Sequence, residues 1–316
     1  FFFYATYLKK NKLFVDDYSL IKTKTKKALT GSGIIFVIPF IFSIIFHYTL
    51  IDKFIFFNKF YLFFLSIFTM TIVSFIDDLK NLDVAFRLIV QILLTYICLP
   101  LFTNDFTSFH LEHYKIVVLA IVVFWVYNIN YINFYDGVDG HLTINSIFIF
   151  LSVIICSSYY KDLYIERLIA IYSLPILIAF LFYNKPIAKL YMGDAGSIFL
   201  GFLIGYLSIS IFFKGYWNLA FSIIIIPFLD CTITLISKTL KGHPPWKRLF
   251  DYFFLIPIKS GYSTNKFLIV VGIFNLINLI LIFTQIYFDK TLLIFLNIIN
   301  TLVLLSLFKY QMKKKK

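Results

Sequence analysis

Ten apolar runs of membrane-spanning length follow one another along the chain and constrain its fold more than any other feature. A transmembrane helix needs about 20 predominantly apolar residues, and in lipid only helices and closed barrels satisfy every backbone polar group. Hydrophobic residues make up 60% of the chain, which excludes an ordinary soluble domain. We therefore predict an all-α fold, a polytopic transmembrane helix bundle of about 10 to 11 spans. The predicted full spans are 34–51, 54–76, 84–102, 116–132, 142–158, 165–183, 196–213, 216–236, 265–284 and 291–308.

The opening residues, FFFYATYL, are also apolar, and the chain does not begin with Met. We expect them to be the end of an incomplete N-terminal span, so a signal peptide cannot be assessed. Neither a linker, a repeat nor a polar domain interrupts the pattern. We accordingly expect residues 1–316 to form a single integral-membrane domain.

The net charge of +13 raises the question of a nucleic-acid partner. If the loop 9–33 lies inside and the spans alternate, 22 of the 29 Lys and Arg residues fall on the inside. This is the positive-inside pattern, and basic ends that face anionic lipid explain the excess. We therefore predict contact with membrane lipid and no nucleic-acid partner. The three cysteines lie in or beside apolar spans without paired spacing, which indicates buried small hydrophobes.

The stretch NINYINFYDGVDGH at 128–141 closes an apolar run and places Asn130, Asn133, Asp136 and Asp139 within ten residues. Burying a carboxylate at bilayer depth costs at least a few kcal/mol. A chain this apolar is therefore expected to keep carboxylates only at the membrane edge or in a functional cavity. This stretch therefore indicates a site, and the other spans can be examined for residues that join it.

Asp77 and Asp78 follow the span 54–76 on the same side of the membrane. On a helix, adjacent carboxylates point about 100° apart and can engage a shared metal or two separate groups. A solvated loop with a capping carboxylate would produce the same pair. Asp83, Arg87 and Gln91 follow at four-residue steps, so they line one face of the next helix.

The inside segment 184–201 breaks a helix with Pro186 and a Gly-Asp-Ala-Gly-Ser run. We expect a new helix to begin at Ile198, with Ser197 as its cap and its free N–H groups facing an anion. Asp194 stands just before that start. A last polar position, Asp230, lies inside an apolar helix, where a carboxylate is a functional candidate by default.

Six inside carboxylates lie at the ends of four spans, and they would repel one another unless a cation binds among them. Hard oxygen ligands favour Mg²⁺ or Mn²⁺ shared with a phosphate, and a His/Cys ligand set for zinc is absent from the sequence. This pattern indicates metal-assisted phosphoryl transfer at the inner membrane face. The six are Asp77, Asp78, Asp136, Asp139, Asp194 and Asp230.

Three of these segments together resemble the polyprenyl-phosphate N-acetylhexosamine-1-phosphate transferases, glycosyltransferase family 4. They are NxxNFYDGVDG at 130–140, the Asp pair at 77–78 and NKPIAKLYMGDAGSIFLG at 184–201. The segment 227–235 resembles the family's later Pro-x-x-Asp-Thr segment, and the resemblance runs from about residue 10 to 265. The NFYDGVDG form is most similar to the O-antigen- and capsule-initiating branch, which is related to phospho-MurNAc-pentapeptide translocase.

The resemblance implies that undecaprenyl phosphate attacks a UDP-N-acetylhexosamine in the presence of Mg²⁺ (or Mn²⁺), which releases UMP. It implies a cytoplasmic active site in the bacterial inner membrane and a role in starting lipid-linked glycan synthesis, such as O-antigen or cell-wall polysaccharide. Asp77 and Asp78 match the catalytic pair, and Asp194 with Asp78 matches the metal site. The implied substrate-binding residues are Asn130, Asn133, Asp136, Asp139, Asn184 and Tyr191, the last stacking on uracil; further candidates are Asp230, Lys189 and Ser197.

The large inside loop departs from the family pattern. Where a His-containing motif is expected, the chain has Leu249, Phe250, Asp251 and Tyr252, and His243 is out of register. Thr30 replaces an Arg of the glycine-rich turn. Either this branch contacts its sugar differently or its activity is altered or lost; because the acidic positions are intact, we favour the first.

Two alternatives stay open at this point. One is a non-catalytic paralogue that binds lipid phosphate or nucleotide. The other is an ion-coupled secondary transporter, which the acids at one membrane edge and the lack of a repeat disfavour. The sugar, the glycan pathway and the oligomeric state, including a homodimer, are not determined by the sequence.

Overall fold

The computed structural model describes residues 31–50, 57–102, 114–244, 251–288 and 290–310, together with Thr6 and two short strands. The strands β1 (Val15–Asp16) and β2 (Ala28–Leu29) pair antiparallel, which the sequence did not indicate. The helices are α1 (Ile34–Leu50), α2 (Phe57–Lys80), α3 (Val84–Ile97), α4 (Tyr114–Tyr135), α5 (His141–Tyr159), α6 (Tyr164–Asn184), α7 (Gly193–Phe213), α8 (Trp217–Leu240), α9 (Leu255–Lys259), α10 (Thr264–Gln285) and α11 (Lys290–Tyr310). Two 3₁₀ turns, Leu99–Phe102 and Lys161–Leu163, extend α3 and precede α6.

Nine helices in the described part of the chain are long and apolar enough to cross a membrane. The shorter apolar helix at Ile34–Thr49 coincides with the first predicted span. The predicted polytopic helical bundle is therefore confirmed, with each predicted full span occupied by one helix. The predicted incomplete span at the N-terminus lies outside the described residues.

Helix α7 forms the centre of the bundle, with 89% of its span buried. It packs most extensively against α4, and glycines allow the two backbones to come close: a Cβ added at Gly201 would lie 2.7 Å from the Cα of Ile129. The indole Nε1 of Trp125 donates to the carbonyl of Phe202 at 2.9 Å. This packing brings the C-terminal end of α4, with its Asn-rich stretch, beside the start of α7.

Polar contacts inside the bundle hold the surrounding helices at fixed heights. At the end of the bundle where α7 finishes, the buried Glu166 of α6 lies 2.8 Å from Lys214, just after α7. Deeper, Asn275 of α10 donates to Asn145 of α5 at 2.9 Å. Because such groups would be unpaired in lipid, each pair favours one register of its helices. All three cysteines are buried and free, so their interpretation as small hydrophobes is confirmed.

Candidate active site at one end of the bundle

Asp77 and Asp78 lie in the last turn of α2, because that helix continues to Lys80. Asp77 is buried, and its Oδ1 accepts the backbone N–H of Leu82 at 2.6 Å. Its Oδ2 lies 2.5 Å from Nη1 of Arg87, which also lies 3.2 Å from Oδ2 of Asp194. One guanidinium therefore links the carboxylate that ends α2 to the one that begins α7.

The carboxylate of Asp78 caps α7. Its Oδ1 accepts the N–H of Asp194 at 2.9 Å, and its Oδ2 accepts the N–H of Ala195 at 3.2 Å. These are the free donors at a helix start, where negative charge also complements the helix dipole.

The predicted helix start at Ile198 with Ser197 as its cap is wrong. Helix α7 begins at Gly193, and Ser197 lies inside it, with its Oγ donating to the Gly193 carbonyl at 3.0 Å. Gly193 adopts a φ of +69°, which a glycine takes without strain. The cap comes from Asp78 on another helix, so local sequence could not reveal it.

Asn133 connects α4 to the same place. Its Nδ2 donates to Oδ1 of Asp194 at 3.0 Å and to Oγ of Ser197 at 2.9 Å. Four helices thus contribute to one group, here called the acidic centre: Asp77, Asp78, Arg87, Asn133 and Asp194. The sequence places Arg87 on one helical face with Asp83 and Gln91, but it does not assign Arg87 to the site. Arg87 and Asp194 are far apart in the sequence, so their contact is not evident from it.

Asn130 lies one turn before Asn133 and has a different partner. Its Nδ2 donates to Oε1 of Gln91 at 2.6 Å and to the Val126 carbonyl at 2.8 Å. Asn130 therefore joins α4 to α3 beside the acidic centre, and this contact fixes the helix that carries Arg87.

The acidic turn, residues 136–140, is tied to the loop that precedes α7. The buried Asn184 accepts the N–H of Gly140 at 3.0 Å and the hydroxyl of Thr143 at 2.8 Å through Oδ1. Its Nδ2 donates to the Leu190 carbonyl at 3.0 Å. Both polar atoms of Asn184 are thus used by protein groups, in a contact that positions the turn.

Asp139 supplies the second tie between the turn and that loop. Its Oδ2 accepts the N–H of Ala188 at 3.0 Å, and its side chain also hydrogen-bonds to that of Tyr191. Burial raises the pKa of Asp139 above its usual 3.8, against the lowering effect of these two hydrogen bonds. Lys189 in the same loop has an exposed side chain, and its backbone N–H donates to Tyr183 at 2.7 Å.

Asp136 has the most perturbed carboxyl group of the turn. Burial, together with the negative charges of Asp194, Asp139 and Asp78, raises its pKa from 3.8 to about 7. Within the described ranges, no group donates a hydrogen bond to this carboxylate. It therefore faces the acidic centre only partly ionised at neutral pH, and a cation or the donors of a ligand would favour its charged form.

This perturbation predicts a pH effect on stability. The folded pKa of Asp136 lies above its unfolded value, so the folded state binds more protons between about pH 4 and 7 and loses stability as the pH rises through that window. Asp136→Asn should remove the loss: without added metal, its melting temperature should rise relative to wild type between pH 5 and pH 8. Thermal unfolding in detergent, followed by tryptophan fluorescence, measures the difference. An equal difference at both pH values would contradict the assignment.

The Gly-Ser-Gly turn at 31–33 packs against the start of α7. The hydroxyl of Ser32 donates to the Tyr191 carbonyl at 2.7 Å, and the N–H of Gly33 donates to the Met192 carbonyl at 3.0 Å. A Cβ added at Gly33 would lie 1.9 Å from the backbone nitrogen of Gly196. The lack of a side chain at Gly33 permits this close approach, which places the turn beside the acidic centre.

Asp230 lies apart from the acidic centre. It is fully buried in α8, and its carboxylate accepts the backbone N–H groups of Phe253 at 3.0 Å and Phe254 at 3.2 Å. Of the six carboxylates predicted to converge, Asp77, Asp78 and Asp194 are linked directly, while Asp136 and Asp139 lie in the adjoining acidic turn.

The acidic centre presents oxygen donors of the kind that the metal predicted from the sequence binds. Among the residues whose placement is described, no three Asp, Glu, His or Cys side chains form a metal cage. Mg²⁺ usually binds through one or two carboxylates and the substrate phosphates rather than in such a cage. The oxygen donors of the acidic centre fit that mode of binding.

Comparison with known proteins gives a consistent result. Residues 60–212, which include the whole acidic centre, match Glycosyl transferase family 4. The chain is 30% identical over 236 residues to a phospho-N-acetylmuramoyl-pentapeptide-transferase of Lactobacillus johnsonii, covering 66% of this chain and 70% of the relative. It is 28% identical over 190 residues to a probable undecaprenyl-phosphate N-acetylglucosaminyl 1-phosphate transferase of Bacillus subtilis, covering 56% of this chain and 52% of that protein.

Proposed function

Because the chain belongs to glycosyl transferase family 4, we propose that it transfers the sugar 1-phosphate of a UDP-N-acetylhexosamine to undecaprenyl phosphate and releases UMP. The reaction would use Mg²⁺ at the cytoplasmic face of a bacterial inner membrane. The observation that carries the proposal is the acidic centre, in which Asp78 caps the helix that begins with Asp194.

The proposed step is a displacement at the β-phosphorus of the donor. An oxygen of the lipid phosphate forms a new P–O bond to the β-phosphorus. The bond between the β-phosphorus and the oxygen that bridges it to the α-phosphorus breaks, and UMP leaves with that oxygen. Such reactions depend on positioning and charge neutralisation. Mg²⁺, when bound, would neutralise the diphosphate charge.

The contacts support a distinct role for each part of the site. We assign Asp77 and Asp78 to the lipid phosphate. We assign Asp194 to the metal, together with the lone pairs of Asp78 that do not accept hydrogen bonds from α7. Arg87, whose guanidinium lies between two carboxylates, would also contact phosphate when substrate is bound.

The donor nucleotide is assigned to the second half of the site. Asn133, Asp136 and Asp139 would contact the nucleotide and its diphosphate, and the half-buried Tyr191 would stack on uracil. The contacts of Asn130 and Asn184 with other protein groups favour a positioning role for these two residues over direct binding.

The function is tested with purified protein, undecaprenyl phosphate, Mg²⁺ and a panel of UDP-N-acetylhexosamines, with UMP release as the readout. Release of UMP with one donor would support the proposal and identify the sugar. If folded protein releases no UMP with any donor of the panel, a non-catalytic paralogue is favoured. The missing loop histidines are the one feature that supports this alternative. Metal-dependent exchange of labelled UMP into the UDP-sugar would separate an enzyme from a transporter.

His243→Ala should change the rate of transfer by less than about tenfold. The backbone N–H of His243 donates to the Lys238 carbonyl at 3.2 Å and so helps to end α8, a contact that alanine retains. The rate of UMP release under saturating substrate measures the effect. Complete loss of turnover would instead make His243 a substitute for the histidine motif that the loop lacks.

A further inference from the structure

Asp230 carries a buried carboxylate that the proposed reaction does not use. Both of its oxygens are occupied: Oδ1 accepts the N–H of Phe253 at 3.0 Å, and Oδ2 accepts the N–H of Phe254 at 3.2 Å. These donors belong to the large inside loop, 23 and 24 residues further along the chain. A carboxylate offers two oxygens to two adjacent N–H groups, which an amide or a hydroxyl cannot do.

The ring of Phe254 connects this anchor to the acidic turn. It is fully buried, with centroids 4.8 Å from the ring of His141 and 5.0 Å from that of Tyr135, the residues that flank the turn. A Cβ added at Gly137, inside the turn, would lie 3.0 Å from Cε2 of Phe254. Phe254 therefore packs directly against the backbone between Asp136 and Asp139.

The rest of this loop segment follows the same surface. The ring of Tyr252 stacks on that of Phe254 with centroids 5.6 Å apart. Leu255 and Ile258 of α9 are buried, and Cδ2 of Leu255 would lie 3.4 Å from a Cβ at Gly137. We call residues 252–258 the brace segment, because they pack against the acidic turn, which the loop 184–192 also contacts.

We propose that Asp230 is a positioning residue that fixes the brace segment, and through Phe254 the acidic turn, in the geometry that binds the donor. This inference rests on the proposed function for the roles of Asp136 and Asp139. It explains why a carboxylate lies fully buried in α8 without joining the acidic centre. The large loop then supplies a structural support in addition to any contact with the sugar.

The test combines hydrogen–deuterium exchange with steady-state kinetics on full-length protein in detergent. The variants are Asp230→Asn, Phe254→Leu and the double variant. Asp251→Asn is the matched control, because its exposed carboxylate lies on the same loop, 3.9 Å from Lys259. Exchange is measured for the peptide that covers residues 251–263, without substrate, so this readout does not depend on turnover.

We expect Asp230→Asn to accelerate exchange in that peptide and to raise the KM for the UDP-sugar about tenfold, with a smaller change in kcat. Phe254→Leu should have the same two effects, and the double variant should be no worse than the stronger single one, because both break one connection. Asp251→Asn should behave as wild type in both measurements.

Unchanged exchange in Asp230→Asn, together with complete loss of kcat, would overturn the proposal and place Asp230 in direct contact with the reacting groups. Additive effects in the double variant would also overturn it, since they would show two independent contributions. If wild type lacks transferase activity, the proposed function fails, yet the exchange result still tests the connection between Asp230 and the brace segment.

Discussion

Asp194→Asn, Asp77→Asn and Asp78→Asn are each expected to lower Mg²⁺-dependent transfer by on the order of 10³-fold or more, with normal membrane insertion. The argument is strongest for Asp194, whose Oδ1 accepts from Asn133 at 3.0 Å and whose Oδ2 faces Arg87 at 3.2 Å. An amide at this position would remove the charge that pairs with Arg87. Its NH₂ group would also face either a hydrogen-bond donor, Asn133 or Arg87, or the metal.

The measurement is UMP release by each variant at saturating donor and lipid, with Asp251→Asn as the control for loss of a carboxylate outside the acidic centre. The control should retain wild-type turnover, because the Asp251 side chain is 62% exposed. Size-exclusion chromatography establishes that each variant is folded. Wild-type turnover in any of the three would remove that residue from the proposed site.

Gly33→Ala is expected to cause the second-largest loss, roughly 100-fold in transfer and a melting temperature lower by several degrees. The added Cβ would lie 1.9 Å from the nitrogen and 2.4 Å from the Cα of Gly196, and 2.5 Å from the carbonyl carbon of Ala195. Since all three atoms are backbone, the turn and the start of α7 would have to separate. That movement would displace the neighbouring Asp194.

The matched control for this variant is Gly272→Ala in α10, where an added Cβ meets nothing within 4 Å. It should leave transfer unchanged and hold or slightly raise the melting temperature, because alanine favours a helix more than glycine does. Thermal unfolding and UMP release are measured for both variants. Equal behaviour of the two would contradict the close packing of the turn on α7.

The sequence predicts the helices well because a span needs a continuous apolar run, and such runs are visible residue by residue. It also identifies Asp77, Asp78, Asn133 and Asp194 as candidates, since polar groups at membrane depth stand out. Their pairing is not visible, because every contact in the acidic centre joins residues on different helices.

The errors and omissions have the same physical origin. Ser197 is a sound local cap, but Asp78 supplies the cap from α2, and the helix starts four residues before Ser197. Asp230 has no cation nearby in the sequence, and the backbone N–H groups that satisfy it come from a loop more than twenty residues away. Contacts of this kind become visible only when the chain has folded.

The most direct test of the account follows the β-phosphate of the donor. Purified protein is incubated with undecaprenyl phosphate, Mg²⁺ and the UDP-N-acetylhexosamine that the panel selects, labelled with ³²P at the β-position. The account predicts that the label enters the lipid fraction while unlabelled UMP is released, and that chelation of Mg²⁺ or Asp194→Asn stops both. Label retained in released UDP would show transfer of the sugar alone and would contradict the account, as would no transfer from any donor by folded protein.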